Sequence, residues 1–292
     1  MGKLTRCISQ DGTVVMMAVD STDIVNHAQE IYETSAVVSA ALGRLLTGAS
    51  LMGSSLKGKD NSVTVRLNGD GPCGTILAVS DSDGNVRGYS HENIIELPLN
   101  GKGKLDVSAA VGKNGTLTVI KDLGMKEPYI GQVPIISGEI AEDITSYFSV
   151  SEQIPTVCAL GVLVDKDLSI KAAGGYIIQL LPTAFDDTID LIEQCLETVE
   201  PISTLIEKGM TPEQVCKHVL SKFDLDVLDE SEVSYKCYCD RARVEKTLIS
   251  TGEKEMLEMA QDENTQVVCQ FCNTKYNFSS KQIKNLIKQS KA

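Results

Sequence analysis

The sequence predicts an α+β fold: a large N-terminal mixed α/β-sheet domain, a helical linker segment and a small C-terminal domain that contains paired cysteines. Strand patterns come in runs between residues 62 and 172, with few helices among them, which is typical of an α+β domain. After Pro182 the apolar residues follow helical spacing, with acidic residues between them. We therefore expect boundaries at 1–184, 185–236 and 237–292.

Composition limits the classes of function. The 292 residues are 42% hydrophobic, which is ordinary for a globular protein, and the absence of tryptophan predicts an aliphatic core. The net charge is −13, of which −9 falls in residues 185–236 and +2 in residues 237–292. So acidic a middle segment argues against nucleic-acid binding there.

The N-terminal residues and the cysteine content predict the cellular compartment of the protein. The N-terminal residues are polar and lack the apolar stretch of a signal peptide, while the longest apolar run, Ala36–Met52, contains Arg44. We expect this run to be a buried helix and no membrane partner to exist. Nine cysteines without a secretory signal indicate a cytoplasmic protein, in which cysteine pairs serve metal or redox chemistry.

The elements of the first domain follow from alternation and turn residues. Two strands within residues 4–19 should meet at Asp11-Gly12, and a helix should run from Ser21 to about Tyr32. A second helix, about 35–55, is rich in small residues and should be buried. Further strands are predicted at 63–67, 75–79, 86–89, 116–120, 129–135, 157–164 and 169–176, with a short helix at 141–148.

The linker segment, residues 185–236, reads as amphipathic helices. Pro201 should split the helical pattern into helices at about 186–199 and 201–208, because proline cannot continue a helix. Thr211-Pro-Glu-Gln214 is a capping box with proline at the first helical position, so a third helix should extend to about Phe223. Residues 224–236 are acidic and carry few structure signals. The apolar stripes of these helices require a partner surface.

Two glycine-rich stretches resemble phosphate-binding motifs. Gly69–Gly74 matches GxGxxG, but Pro72 interrupts it and a strand pattern follows, which favours a β-turn. Gly53–Asp60 nearly matches a P-loop, yet it follows a helix and lacks the hydroxyl that would bind Mg²⁺. We predict no nucleotide cofactor. Because no serine has an elbow motif around it, a hydrolase has little support either.

Four of the nine cysteines form two tight pairs. Cys237-Tyr-Cys239 is followed, after 29 residues (240–268), by Cys269-Gln-Phe-Cys272. Four thiolates complete a closed tetrahedral shell for one Zn²⁺ and leave no open position for catalysis, so the C-terminal domain should be a zinc-binding domain. The remaining cysteines stand alone and should be small buried hydrophobes: Cys7, Cys73, Cys158, Cys195 and Cys216.

The zinc site has two interpretations, a static structural module or a redox sensor. Oxidants attack thiolates, and each neighbouring pair can close to a disulfide through a sulfenic acid. Cys269 and Cys272 are well spaced for this, whereas Cys237 and Cys239 require an extended or strained backbone. Loss of a metal that contributes on the order of 10–16 kcal/mol should unfold so small a domain.

The whole chain resembles the heat shock protein 33 family. The four cysteines match its C-x-C and C-x-x-C motifs, and Tyr235 is a departure, since many members have Phe there. Further matching blocks are Ala40–Thr47, Leu56–Gly58, Gly69–Pro72, Val86–Tyr89, Gly131–Val133, Ser151–Pro155 and Ala172–Tyr176.

This resemblance implies a redox-regulated, ATP-independent chaperone of the holdase type, and no enzyme. The reduced form would bind one zinc ion through Cys237, Cys239, Cys269 and Cys272 and be inactive. Oxidative stress would link Cys237 to Cys239 and Cys269 to Cys272, release the metal and unfold the C-terminal domain and the linker segment. The exposed apolar surface would then bind unfolding client proteins, and the active form would dimerise.

Two other classes compete with this interpretation. A zinc-ribbon-type structural or nucleic-acid-binding module would use Lys281, Lys284, Lys288 and Lys291, although such lysines more often form the solvated face of a helix. A dithiol oxidoreductase would use Cys269 and Cys272, but no thioredoxin-like βαβ pattern surrounds them.

Overall fold

The structure is a computed structural model that describes residues 1–289, and it divides into two compact units, Met1–Lys236 and the part that begins at Cys237. The strands of the first unit are β1 (Gly2–Ser9), β2 (Val14–Asp20), β3 (Ser62–Asn68), β4 (Thr75–Asp81), β5 (Val86–Ser90), β6 (Thr116–Asp122), β7 (Tyr129–Pro134), β8 (Thr156–Val164), β9 (Ile170–Leu180) and β10 (Leu225–Val233). Its helices are α1 (Thr22–Tyr32), α2 (Ala36–Ser54), α3 (Val107–Val111), α4 (Ala141–Tyr147), α5 (Asp186–Leu196), α6 (Ile202–Glu207) and α7 (Pro212–Val219), with a π-helical turn at Phe148–Glu152. The predicted mixture of sheets and helices is confirmed.

The first unit contains two antiparallel five-stranded sheets. Sheet A has the order β10-β1-β2-β9-β8, and sheet B has the order β5-β4-β3-β6-β7. Helix α2 packs on strands of both sheets and is buried almost all round, as its small residues predicted. At Gly53 a Cβ atom would lie 2.4 Å from the carbonyl oxygen of Asp81, so only glycine permits this approach.

Helix α2 belongs to the core of the fold. Within residues 1–289 it is the one helix whose length and hydropathy would suit a membrane span, and 89% of its most apolar window is buried inside the fold. This burial confirms the prediction of a packed interior helix from the run Ala36–Met52.

Several local predictions from the sequence are confirmed. Pro201 separates α5 from α6. Thr211 caps α7 in a capping box: the Gln214 amide donates to Thr211 Oγ1 at 3.3 Å, and the Thr211 amide donates to Gln214 Oε1 at 2.9 Å. The stretch Gly69–Gly74 forms a turn that leads into strand β4, so it lacks the helix N-terminus of a dinucleotide site.

The linker segment packs on sheet A. Helices α6 and α7 contact β8, β9, β1 and β2, on the face opposite to α1 and α2. The buried side chains between the helices and this face, which we name the linker core cluster, are Cys7, Val14, Met16, Ala18, Ala172, Tyr176, Ile178, Ile192, Ile202, Leu205, Ile206, Val215, Cys216, Val219 and Leu220. The expected partner surface for the apolar stripes is therefore this sheet face.

Strand β10 was not predicted, because the pattern of residues 224–236 indicated no element. It forms the edge of sheet A, pairs antiparallel with β1 and exposes most of its side chains. An edge strand whose side chains face water shows no apolar alternation, so its backbone pairing leaves no signal in the sequence. The first unit thus includes the whole linker segment, and its separation as a domain of its own stays a prediction.

Candidate metal centre

The second unit is small and built around one aromatic residue. It contains α8 (Arg241–Thr251), α9 (Glu253–Met259), the hairpin of β11 (Asn264–Val268) and β12 (Lys275–Ser279), and α10 (Ser280–Gln289). Phe278 is fully buried, and the Arg241 guanidinium lies 4.3 Å from its ring centroid. Arg241 also donates to the carbonyl oxygen of Asn277, which ties α8 to β12. The other buried members of this core are Val244, Leu248, Met256, Ala260, Ile283, Leu286 and Ile287.

The turn of the β11–β12 hairpin places Cys269 and Cys272. The Asn273 amide donates to the Cys269 carbonyl at 2.9 Å, and the Cys269 amide donates to the Thr274 carbonyl at 3.0 Å. Asn273 has φ 55°, a left-handed conformation that asparagine tolerates better than most residues. The turn therefore brings both thiols to one side of the hairpin end.

The N-terminus of α8 fixes Cys237 and Cys239. Asp240 is the N-cap of α8 and accepts a hydrogen bond from the Arg243 amide at 2.7 Å. Arg243 Nη1 donates to the carbonyl oxygen of Tyr238, the residue between the two cysteines, at 3.2 Å. These two bonds tie the C-x-C segment to the first turn of the helix.

The four predicted thiols converge at one point. Their sulfur atoms all lie within 4.8 Å of one another, and all four side chains are partly buried. The Sγ atoms of Cys237 and Cys269 are 3.7 Å apart, and those of Cys239 and Cys272 are 3.3 Å apart. Four sulfurs around one Zn²⁺ would be about 3.8 Å apart, given Zn–S bonds of about 2.3 Å. The thiols therefore lie close enough to hold a metal ion, and an all-sulfur donor set is one that zinc prefers.

Two neighbouring hydroxyls contact the sulfurs. The Thr274 hydroxyl lies 3.1 Å from Cys272 Sγ, and the Tyr276 hydroxyl donates to Cys239 Sγ at 3.2 Å. Burial raises the pKa of Cys272, but hydrogen bonds with Thr274 and with the neighbouring thiols together outweigh it and lower that pKa to about 7. The bond to Cys239 raises the pKa of Tyr276 to about 12.

The thiols of Cys237 and Cys269 are less acidic. Burial is the largest cause that raises the pKa of each of them. The sequence pattern alone predicted no role for Thr274 or Tyr276. Their available signal was position, since both follow the C-x-x-C motif within four residues.

The remaining sequence-predicted residues lie outside this cluster. Cys7, Cys73, Cys195 and Cys216 are buried and Cys158 is partly buried, all in the first unit, which confirms four of them as buried hydrophobes. The lysines proposed for nucleic-acid binding lie on the exposed face of α10: Lys281, Lys284 and Lys288. Lys291 lies outside the described residues.

Comparisons with known proteins agree over nearly the whole chain. The family model for "Hsp33 protein" matches residues 2–279. The "33 kDa chaperonin" of Clostridium botulinum (strain Alaska E43 / Type E3) is 48% identical over 289 residues, covering 99% of this chain and 98% of the relative. The protein of the same name from Clostridium beijerinckii is 47% identical, covering 99% of both.

A solved structure supports the same relationship. The crystal structure of the 33 kDa chaperonin (heat shock protein 33 homolog) from Thermotoga maritima has a TM-score of 0.90 and 36% sequence identity. The match covers 98% of this chain and 98% of that chain. On these matches, the chain belongs to the Hsp33 family of chaperones.

Proposed function

We propose that this chaperone is a redox-regulated, ATP-independent holdase, inactive when reduced and zinc-bound and active when its four C-terminal cysteines are oxidised. The observation that carries the proposal is the convergence of Cys237, Cys239, Cys269 and Cys272 within 4.8 Å in a chain of a chaperone family. Hsp33 is not a class of enzymes, and we propose no catalytic activity for this member.

The four cysteines would hold one zinc ion per chain. When bound, zinc would keep the sulfurs as thiolates and cross-link the β11–β12 hairpin to the start of α8. Tyr276 and Thr274 would hold Cys239 and Cys272 in position through their hydrogen bonds. The described part of the second unit buries few large side chains, which supports dependence of its fold on this cross-link.

Oxidation would convert the four zinc-binding thiols into two disulfides, which no longer bind the metal. In each pair, two thiols lose two protons and two electrons to an oxidant of the peroxide class, which becomes water, and a disulfide forms. Our proposed pairs are Cys237–Cys239 and Cys269–Cys272. The sulfur contacts of 3.7 Å and 3.3 Å join members of different pairs, Cys237 with Cys269 and Cys239 with Cys272, so the pairing needs a direct measurement.

Client binding would use the sheet face beneath the linker segment. If the second unit unfolds and α5–α7 leave sheet A, the apolar side chains of the linker core cluster become accessible, among them Val14, Met16 and Ile178. Such a surface would bind unfolding proteins through apolar contact and without nucleotide. We further propose that the oxidised form dimerises, that the protein acts in the cytoplasm, and that it binds neither nucleic acid nor membranes.

The redox-switch proposal is tested by oxidising one sample of the reduced protein and measuring three properties over time. The reduced, zinc-loaded protein is treated with hydrogen peroxide at raised temperature, and zinc release, binding of a hydrophobic dye and suppression of client aggregation are recorded. We expect all three to rise together, with the disulfides mapped by mass spectrometry. Cys73→Ala, which removes a buried cysteine of the first unit, should behave like the wild type.

Two outcomes would contradict the proposal. If the protein suppresses client aggregation equally well before and after oxidation, its activity is not regulated by redox state. Salt-sensitive nucleic-acid binding by the reduced form, lost when Lys281, Lys284 and Lys288 are replaced by glutamine, would favour the nucleic-acid-binding module.

A further inference from the structure

A cavity of about 850 Å³ lies wholly within the first unit, where the start of helix α6 meets the core of the fold. Pro201 and Ile202 of the linker segment form one wall, and the other walls come from β8, α2, the segment that leads into α4 and the loop 100–106. Small-molecule sites commonly measure about 300–1,000 Å³. The cavity therefore has the size to hold a small organic molecule, and the linker segment helps to enclose it.

Basic side chains surround this cavity although the chain as a whole is strongly acidic. Four basic and three acidic side chains line it, whereas the net charge of the chain is −13. Two of the carboxylates are already engaged, since Glu139 pairs with Arg44 and Asp106 is the N-cap of α3. The basic residues are Arg44, Lys102, Lys104 and Lys113. The cavity is therefore a local basic site.

The protein uses few of the donors that these basic residues offer. The Arg44 side chain donates only through Nη1, to the carbonyl oxygen and the carboxylate of Glu139, and its buried Nε has no acceptor among the described residues. The three lysines are exposed, and none forms an ion pair with a described residue. Unused cationic donors beside a cavity are suited to an anionic ligand.

Apolar side chains line the same cavity. Leu105 and Leu160 pack against the core around α2, and Ile202 belongs to the linker core cluster. An inorganic anion would leave these side chains facing water, whereas a ligand with an aliphatic or aromatic part would cover them. The lining therefore favours an organic anion.

We propose that this cavity binds a small organic phosphate, whose phosphate group contacts the basic side chains and whose apolar part covers the two leucines and Ile202. A phosphate ester carries a charge of about −1.5 to −2 at pH 7 and three strong acceptor oxygens, so it engages several cations at once. Arginine and lysine are both established phosphate-binding side chains.

The position of the cavity makes this ligand a regulator of the linker segment, a consequence that rests on the proposed function. Because Ile202 belongs to α6, the site is complete only while the linker segment lies on sheet A. A ligand that binds only this state opposes linker release by mass action. At ten times its dissociation constant it lowers the opening equilibrium about tenfold.

Binding is tested with phenyl phosphate, by calorimetric titration of the reduced, zinc-loaded protein at low ionic strength. We expect the double variant Lys102→Gln/Lys104→Gln to bind this probe at least about tenfold more weakly, because two cations of the site are lost. Lys57→Gln/Lys59→Gln changes an exposed Lys-Gly-Lys pattern outside the cavity and should bind like wild type. Inorganic phosphate and benzyl alcohol each carry one half of the probe, and each should bind at least about tenfold more weakly.

Regulation is tested on the same samples by hydrogen exchange read by mass spectrometry at raised temperature. With phenyl phosphate at ten times its dissociation constant for wild type, peptides covering α5–α7 should exchange about tenfold more slowly. Lys102→Gln/Lys104→Gln at the same ligand concentration should slow by about twofold at most. After addition of peroxide, client protection should appear later in wild type when the probe is present.

Three outcomes count against these statements. Equal affinity in wild type and Lys102→Gln/Lys104→Gln, or an equal loss in Lys57→Gln/Lys59→Gln, would overturn the phosphate site. Binding that leaves the exchange of α5–α7 unchanged would overturn its regulatory role. If oxidation never brings client protection, the proposed function fails instead, and the titrations and exchange rates of the reduced protein still decide the phosphate site.

Discussion

Tyr276 is the side chain that most directly supports the sulfur cluster from outside it. Its hydroxyl donates to Cys239 Sγ at 3.2 Å from strand β12, while Cys239 itself precedes α8. The bond therefore joins the hairpin to the C-x-C segment. Groups that hydrogen-bond to metal ligands orient them, and their loss commonly reduces metal affinity by about 10–100-fold.

Tyr276→Phe removes this hydrogen bond and keeps the ring. We expect the reduced variant to bind zinc at least about tenfold more weakly, as measured by competition with a chromophoric chelator at fixed pH. Tyr129→Phe, which removes a tyrosine hydroxyl in the first unit, is the matched control. Equal zinc affinity in Tyr276→Phe and wild type would mean that the hydroxyl does not support the ligands.

At this scale the sequence predicted the four candidate ligands that the structure brings together, but not the side chains that contact them. Cysteine spacing alone indicated the four thiols, because few residue types hold zinc and their spacing is characteristic. Thr274 and Tyr276 are common residue types, and their contact with sulfur depends on the hairpin register that pairs Val267 with Tyr276. That register is a property of the folded hairpin, so these roles needed the structure.

Among the elements, helices α6 and α7 hold the linker segment on sheet A, and α7 is the one with a capping box at its N-terminus. It is short and amphipathic, with Val215, Cys216 and Val219 buried against the sheet. So short a helix is marginal by itself, and its capping box satisfies amides that would otherwise lack partners. Its cap should therefore have a measurable effect on opening.

Thr211→Ala removes the capping hydroxyl of α7. A lost N-cap costs about 1 kcal/mol, which corresponds to an opening equilibrium raised about fivefold. We expect tryptic cleavage at Lys217 and Lys222 in the reduced protein to accelerate by this factor. Ser221→Ala, which removes an exposed hydroxyl just beyond the helix, should cleave at the wild-type rate. Unchanged cleavage in Thr211→Ala would show that opening does not pass through this helix end.

Elements that pack one face in the core were predictable from the sequence, whereas elements with mostly exposed side chains were not. Buried strands such as β3 and β4 alternate clearly, because one face of each packs in the core. Strand β10 is formed by backbone pairing with β1 while its acidic side chains face water. Helix α8 was missed for a related reason: only Val244 and Leu248 are buried, too few for a recognisable stripe.

On the scale of the whole molecule, a short strap connects the end of the linker segment to sheet B. The strap is residues Ser234–Lys236, which form a parallel bridge with β5: the Val86 amide donates to the Ser234 carbonyl and the Lys236 amide to the Val86 carbonyl, each at 2.9 Å. The Tyr235 hydroxyl donates to the Gly88 carbonyl at 2.9 Å. The next residue is Cys237, so the second unit begins directly after the strap.

This strap predicts that metal loss and linker release are separate steps. Treating the reduced protein with a chelator at low temperature should unfold residues 237–289, because zinc contributes on the order of 10–16 kcal/mol to such a domain. The linker segment should stay on sheet A, since the strap and the linker core cluster lie wholly within the first unit. Warming should then release it at a lower temperature, because the strap directly precedes Cys237 and its end frays more readily when the chain that follows is unfolded.

Hydrogen exchange read by mass spectrometry measures both steps on one sample. After chelation at low temperature, peptides from 237–289 should exchange fully, while those covering β10 and α5–α7 should keep their protection. On warming, the linker peptides should lose protection at a lower temperature than in the zinc-loaded protein, and added zinc should reverse both changes. If linker peptides exchange as soon as the metal is removed in the cold, the strap is not an independent barrier, and the metal centre alone holds the linker segment in place.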